Sequence, residues 1–215
     1  MSETDPQHAT PPPTFIYGAT RDWPGYFASV AGKPARETLL FALDRFGSEP
    51  PADAIDLGCG EGRDTQELLS RGWNVLAIDG SQEGIDLLLT RPGLKDHPKL
   101  TTRVSTFETL DDLPKVRLLN ASFSIPFCHP DHFERFWGVV TGAIEPGGRF
   151  AGQLFGDRDS WAEIPDRSHQ TLAEAKRLFE GFELEMFDEE ERDKQDFQGI
   201  EKRWHVYHVV ARKRG

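Results

Sequence analysis

Three glycines at every second position, set between a short apolar run and an amphipathic one, constrain this chain more than any other feature. Residues 52–62 read Ala-Asp-Ala-Ile-Asp-Leu-Gly-Cys-Gly-Glu-Gly, and the amphipathic run Arg63 to Ser70 follows at once. The pattern predicts a strand, a tight turn and a helix. Glycine in such a turn permits positive φ and lets a ligand approach the backbone closely. The helix that follows offers unpaired N–H groups to an anionic group. A second apolar run, Trp73 to Ile78, ends in Asp79, about twenty residues after Gly58, where an acid suits a pair of ribose hydroxyls. The first half of the chain thus predicts a nucleoside-binding βαβ unit.

The dinucleotide fingerprint G-x-G-x-x-G/A needs a small third residue so that helix and strand pack closely. Here glycine arrives one position early, at Gly62, and Arg63 takes the place of that residue. Asp56, at the end of the first strand, would also face a pyrophosphate with like charge. A nicotinamide oxidoreductase is therefore disfavoured. A nucleoside carrying an amine, a sulfonium and one carboxylate fits better, and S-adenosylmethionine (SAM) is such a molecule.

At these residues the chain resembles the class I SAM-dependent methyltransferases. Asp56-Leu-Gly58-Cys59-Gly60-Glu-Gly62 is similar to their first motif, Ala77-Ile-Asp79-Gly80-Ser81 to their second, and Glu145-Pro-Gly-Gly-Arg-Phe150 to the turn before their fifth strand. Within the class, Gly32 to Leu39, Asn120 to Cys128, Gly152 to Arg158 and Trp204 to Arg212 resemble the tellurite-resistance and thiopurine-like small-molecule branch. The resemblance implies a doubly wound α/β domain, a mostly parallel seven-stranded sheet with the last strand antiparallel, and SAM as cofactor.

Composition bounds the partners. The 215 residues suit a single domain over 15–215, behind a polar, proline-rich tail at 1–14 that is expected to be disordered. The net charge of −11, with no clustered Lys/Arg face, argues against nucleic acid. No apolar run approaches a membrane span, and two distant cysteines suggest no disulfide framework. A cytoplasmic monomer or weak homodimer acting on a small molecule is the simplest expectation.

Along the chain, Trp23, Tyr26 and Phe27 form an aromatic lead-in, and Pro34 to Phe46 predicts a helix. Strands are predicted at 52–57, 73–78, 100–105, 116–121 and 148–155, with helices at 62–71, 82–90 and 130–143. This alternation predicts a parallel sheet covered on both faces. A helix over 171–179 and strands over 182–187 and 204–211 follow, the two strands joined by the charged stretch 188–202 as a long loop.

The resemblance and the pattern together nominate site residues. Asp79 is expected to accept the ribose hydroxyls. Asp56 is expected to accept the turn's own N–H groups and the ligand amine. Gly58, Cys59, Gly60, Arg63 and Gly80 complete the two cofactor motifs, with Cys59 a small filler rather than a nucleophile. Thr106 and Phe107 are placed at the adenine, and Ala121, Ser122 and Phe123 beside the transferred methyl. Arg36 is expected either to meet the SAM carboxylate or to shape the substrate entrance. Cys128, His129 and His132 lack a nearby fourth ligand and are expected to be structural. Because an antiparallel last strand begins at the active edge, Arg158 and His205 are the substrate-side, catalytic candidates. The tellurite-handling relatives carry His-Arg on the long hairpin, where this chain has Glu191-Arg192. The acceptor classes are a thiol, a chalcogen oxyanion or a small metabolite; a non-catalytic SAM-binding scaffold, which would bury no acceptor pocket, is the alternative.

Overall fold

A computed structural model describes residues 21–215. The expected tail at 1–14 lies outside the described residues. The elements run α1 (Trp23–Val30), α2 (Glu37–Asp44), β1 (Asp53–Leu57), α3 (Arg63–Ser70), β2 (Asn74–Asp79), α4 (Gln82–Thr90), β3 (Leu100–Val104) and β4 (Val116–Ala121). They continue with α5 (Pro130–Ala143), β5 (Ile144–Gly156), β6 (His169–Gln170), α6 (Leu172–Leu178), β7 (Phe182–Gln195) and β8 (Glu201–Lys213). Among the described residues, no helix is long and apolar enough to cross a membrane.

The sheet order is β3-β2-β1-β4-β5-β8-β7, with the two-residue β6 beside the end of β5. β1 to β5 pair in parallel, and β8 runs antiparallel to both β5 and β7. This is the doubly wound, mostly parallel sheet that the sequence predicts, with its last strand reversed; β6 brings the count to eight. Buried parallel strands must be apolar on both faces. Ile55 and Leu57 of β1 pack with Phe136 and Val140 of α5, while Ala54 packs with Leu39 of α2 and Leu68 of α3 on the opposite face. The strand order reverses between β1 and β4, which opens a crevice beyond their carboxyl ends.

Two elements differ from the sequence reading. The aromatic lead-in is a helix, α1, capped where Gly25 N donates to Asp22 Oδ1 at 3.0 Å. The charged stretch 188–202 is mostly strand: β7 and β8 extend as a ribbon, and only 196–200 turns. Charge alternation sustains the ribbon in place of a core. Glu191 pairs with Arg158 and Arg203, whereas its neighbour Glu190 pairs with Arg192 and His208. The turn closes where Gln198 N and Ile200 N donate to Asp196 Oδ1 at 2.8 and 3.1 Å.

Candidate active site

The glycine turn connects β1 to α3 and is pinned to β2. Gly58 N and Cys59 N donate to the Ile78 carbonyl at 2.7 and 3.0 Å. Asp79, at the end of β2, receives Gly60 N on one oxygen and Ser81 N on the other, each at 2.8 Å. A carboxylate offers about four lone-pair sites, so Asp79 is held rigidly while keeping acceptor capacity. Its burial raises its pKa.

Gly62 takes over the close-packing role of the dinucleotide motif's third small residue. Its φ is +86°, and a Cβ there would lie 2.6 Å from Leu88 Cγ on α4. Arg63 therefore lies one residue past the tight contact, and the packing obstruction expected from it does not arise. Gly60 admits α1 in the same way: a Cβ would meet the Phe27 ring at 2.8 Å. The aromatic face of α1 is thus laid across the turn as a roof.

Beneath the turn sits an acidic pair. Asp56 accepts from Thr65 Oγ1 at 2.6 Å and from Asn120 Nδ2 at 2.9 Å. These partners replace the turn N–H groups expected for it, which go instead to Ile78 and Asp79. Asn120 also donates to Asp64 at 3.1 Å, and Asp64 accepts Arg36 N at 2.9 Å. Both acids are buried, and among the described residues neither forms an ion pair. Burial, with Asp64 adding like charge, pushes the Asp56 pKa up to about 7. Burial likewise holds the Cys59 thiol well above its usual range, so it is inert at neutral pH. Two buried carboxylates without a cation suit a ligand that brings positive charge. Asp64 was not singled out in the sequence, because an acid in the first turn of a helix reads as an ordinary dipole partner.

Two adjoining cavities meet here. The first, of about 660 Å³, is lined by Asp56, Gly58, Cys59, Gly60, Arg63, Asp64, Asp79, Phe107, Ser122 and Phe123 among others. The second, of about 1310 Å³, lies towards the β7–β8 ribbon. They share Trp23, Tyr26, Val30, Phe123 and Phe127 as a partition. Phe123 holds a left-handed φ of +52°, costly for a bulky side chain, and is fixed there by donating its N–H to Gln153 Oε1 at 2.9 Å.

The other nominated residues fall in different places. Arg36 lines the second cavity at the partition, its guanidinium 4.3 Å from the Phe123 ring centre and donating to Tyr26 Oη at 2.9 Å. Its buried Nε has no hydrogen-bond partner. Gly80 and Thr106 are exposed neighbours that line neither cavity, and Ala121 is fully buried in the core. His129 Nδ1 accepts Asp131 N at 3.2 Å and caps α5, while Cys128 is buried with its thiol pushed up to about 12.

Arg158 and His205 do not reach either cavity. His205 is fully buried. Its Nδ1 accepts Arg158 N at 3.0 Å, which places the ring proton on Nε2, 2.9 Å from Glu189. The Arg158 guanidinium bridges Glu189 and Glu191 at 2.7 and 2.9 Å. Glu189, Glu191 and His205 converge closely enough to hold a metal ion, but Arg158 already supplies positive charge to this cluster. The ribbon face that looks into the second cavity carries Glu190, Arg192, Lys194, Trp204 and Val206 instead. His205 and Tyr207 share a strand face, the one turned away from the second cavity.

The glycine turn, the rigid acid on β2 and the buried acid pair form a pocket suited to a nucleoside that brings positive charge. Residues 54–148, just under half of the chain, match the family described as methyltransferase domain, an enzyme domain whose cofactor is SAM. No curated protein matches the sequence. Among solved structures, TehB from Haemophilus influenzae superposes with a TM-score of 0.69 at 18% identity, over 81% of this chain and 62% of that one. The chain thus spans less than two thirds of TehB. The Burkholderia thailandensis 1,6-didemethyltoxoflavin-N1-methyltransferase, with 1,6-didemethyltoxoflavin and S-adenosylhomocysteine bound, gives 0.62 at 21% identity, over 93% and 84%. An SAM-dependent methyltransferase from Methanosarcina mazei gives 0.60 at 20% identity, over 80% and 97%.

Proposed function

We propose that this chain transfers a methyl group from SAM to a small-molecule acceptor held in the second cavity. The carrying observation is the partition: a chamber lined by the glycine turn, Asp56, Asp64 and Asp79 opens past Phe123 onto a larger aromatic chamber. A non-catalytic SAM-binding scaffold has no use for that second chamber. The likeness to the toxoflavin methyltransferase, which holds a small aromatic substrate, supports the small-molecule reading.

Each residue has a role in this reading. Asp79 receives the ribose hydroxyls, and Phe107 covers the adenine. Asp56 and Asp64 hold the amine, while the unpartnered Nε of Arg36 is available to the carboxylate. Ser122 and Phe123 flank the reacting methyl. Bound there, SAM would supply an activated methyl on its sulfonium, which an acceptor lone pair would take as the S–C bonding pair returned to sulfur. The protein's contribution is alignment and water exclusion, which the aromatic partition provides.

The test is a mass-spectrometric assay for S-adenosylhomocysteine, in which the protein, SAM and a library of thiols, phenols, aromatic acids, selenite and tellurite are incubated. Acceptor-dependent product with the matching methylated compound is expected. SAM binding without turnover on any member would favour the scaffold.

A further inference from the structure

Resting on the methyltransferase reading, we infer that the acceptor is a planar aromatic anion. The second cavity is walled by aromatic rings, chiefly Trp23, Phe127, Phe155, Trp161 and Trp204. Trp161 and Trp204 lie 5.7 Å apart at 54°, and Trp204 is locked by donating Nε1–H to the Lys194 carbonyl at 3.0 Å. Flat, rigid walls of this kind favour a flat ligand.

An aromatic box is usually a place for a cation, because ring faces carry negative charge. Here those faces already serve the chain's own cations. Lys202 Nζ lies 4.1 Å from the Trp204 centre and 4.4 Å from Trp161; the Arg167 guanidinium lies 4.5 Å from Trp161 and 5.3 Å from Phe127. A cationic acceptor would meet ring faces already occupied by the chain's own cations, Lys202 held by Asp159 and Arg167 by Asp166.

Basic residues outnumber acids along the cavity wall. With Arg36 assigned to the cofactor, Arg21, Lys33, Arg167, Arg192 and Lys194 face three acids, Asp22, Glu190 and Asp196. Asp22 caps α1, Asp196 closes the ribbon turn, Glu190 is bound by Arg192 and His208, and Asp166 pairs with both Arg21 and Arg167, so the wall keeps a small positive excess. Among the described residues, Lys33 and Lys194 form no ion pair. This excess of positive charge stands in a chain of net charge −11, so it is a local field and not a reflection of composition. A phenolate, thiolate or carboxylate on an aromatic ring uses both features, and an acceptor that is already ionised needs no general base, which agrees with His205 lying elsewhere.

The experiment uses the wild-type chain saturated with S-adenosylhomocysteine, whose binding is first measured by calorimetry. The complex is then titrated with three ligands that share a ring system: 2-naphthoate, 2-naphthamide and 2-naphthylmethylammonium. Tryptophan fluorescence and heat are the readouts. The naphthoate is expected to bind at least tenfold tighter than the amide, with the ammonium weakest. Replacing both Arg192→Glu and Lys194→Glu, which are exposed, should erase that preference while S-adenosylhomocysteine affinity and melting temperature hold. A naphthoate that binds no tighter than the amide, or a preference untouched by the double variant, overturns the inference. Failure to bind S-adenosylhomocysteine at all instead overturns the methyltransferase reading.

Discussion

Asp56 and Asn120 are register partners on the adjacent parallel strands β1 and β4, and Asn120 Nδ2 donates to Asp56 Oδ1 at 2.9 Å. The same nitrogen reaches Asp64 at 3.1 Å, so one neutral amide tethers two buried acids at the switch point of the sheet. Raised to about 7 by burial, Asp56 holds its proton more tightly in the folded state than in the unfolded chain. Its ionisation therefore costs stability progressively as pH rises from the usual carboxylate range through about 7.

Proton release on cofactor binding follows from this pair. A ligand amine beside Asp56 favours the carboxylate, so binding below pH 7 must expel the proton. SAM affinity should fall as pH drops below about 7, at most tenfold per pH unit for one group. Calorimetry at pH 6 in buffers of different ionisation heat should report release of up to one proton, and almost none at pH 8. Identical heats in every buffer at pH 6 would contradict this placement of the amine.

Glycine positions separate local strain from helix propensity. Gly62→Ala combines a φ of +86° with a Cβ 2.6 Å from Leu88, and overpacking alone typically costs about 1–3 kcal/mol. Gly138→Ala sits in α5 with nothing within 4 Å of the new Cβ, and should gain about 0.5–1 kcal/mol. Urea unfolding of the two variants should shift in opposite directions. Equal shifts would mean that the turn is not built as described.

Arg158→Ala and His205→Ala should behave as structural variants. His205 is buried and accepts Arg158 N, and leaving such a donor unsatisfied costs about 1–3 kcal/mol. A lowered melting temperature for His205→Ala, with kcat and KM near wild type for both variants at a permissive temperature, is expected. A drop in kcat and kcat/KM together for Arg158→Ala would bring the ribbon's outer face back into the chemistry.

Much of the fold was legible because buried parallel strands leave continuous apolar runs and the glycine turn marks the first crossover. β1 to β4 and α3 to α5 fall where the pattern puts them, and the last strand is reversed as the family resemblance implies. The first cavity was legible through Gly58, Gly60 and Asp79, which the structure brings together along its wall. The substrate side was not, for reasons of parity. Alternation assigns His205 and Trp204 to opposite faces of β8 but does not say which face looks inward, and both are covered here. A register shift between Leu184 and Met186 further breaks the alternation of β7, and sequence carries no sign of it. A buried histidine attracts a catalytic reading, yet this one is satisfied by Arg158 and Glu189. Trp161 and Trp204 line the second cavity, at the edge of the sheet where the topology puts the end of β5 and the start of β8.

The central claim is tested most directly by calorimetric titration of the wild-type chain with SAM, S-adenosylhomocysteine and NAD, repeated on Asp79→Ala. SAM and its product should bind with micromolar affinity and NAD should not. Charge-assisted hydrogen bonds contribute about 1.5–3 kcal/mol each, so Asp79→Ala should weaken both adenosyl ligands at least tenfold, with cooperative melting retained. Tight NAD binding without SAM binding, or full SAM affinity in a folded Asp79→Ala variant, would contradict the account.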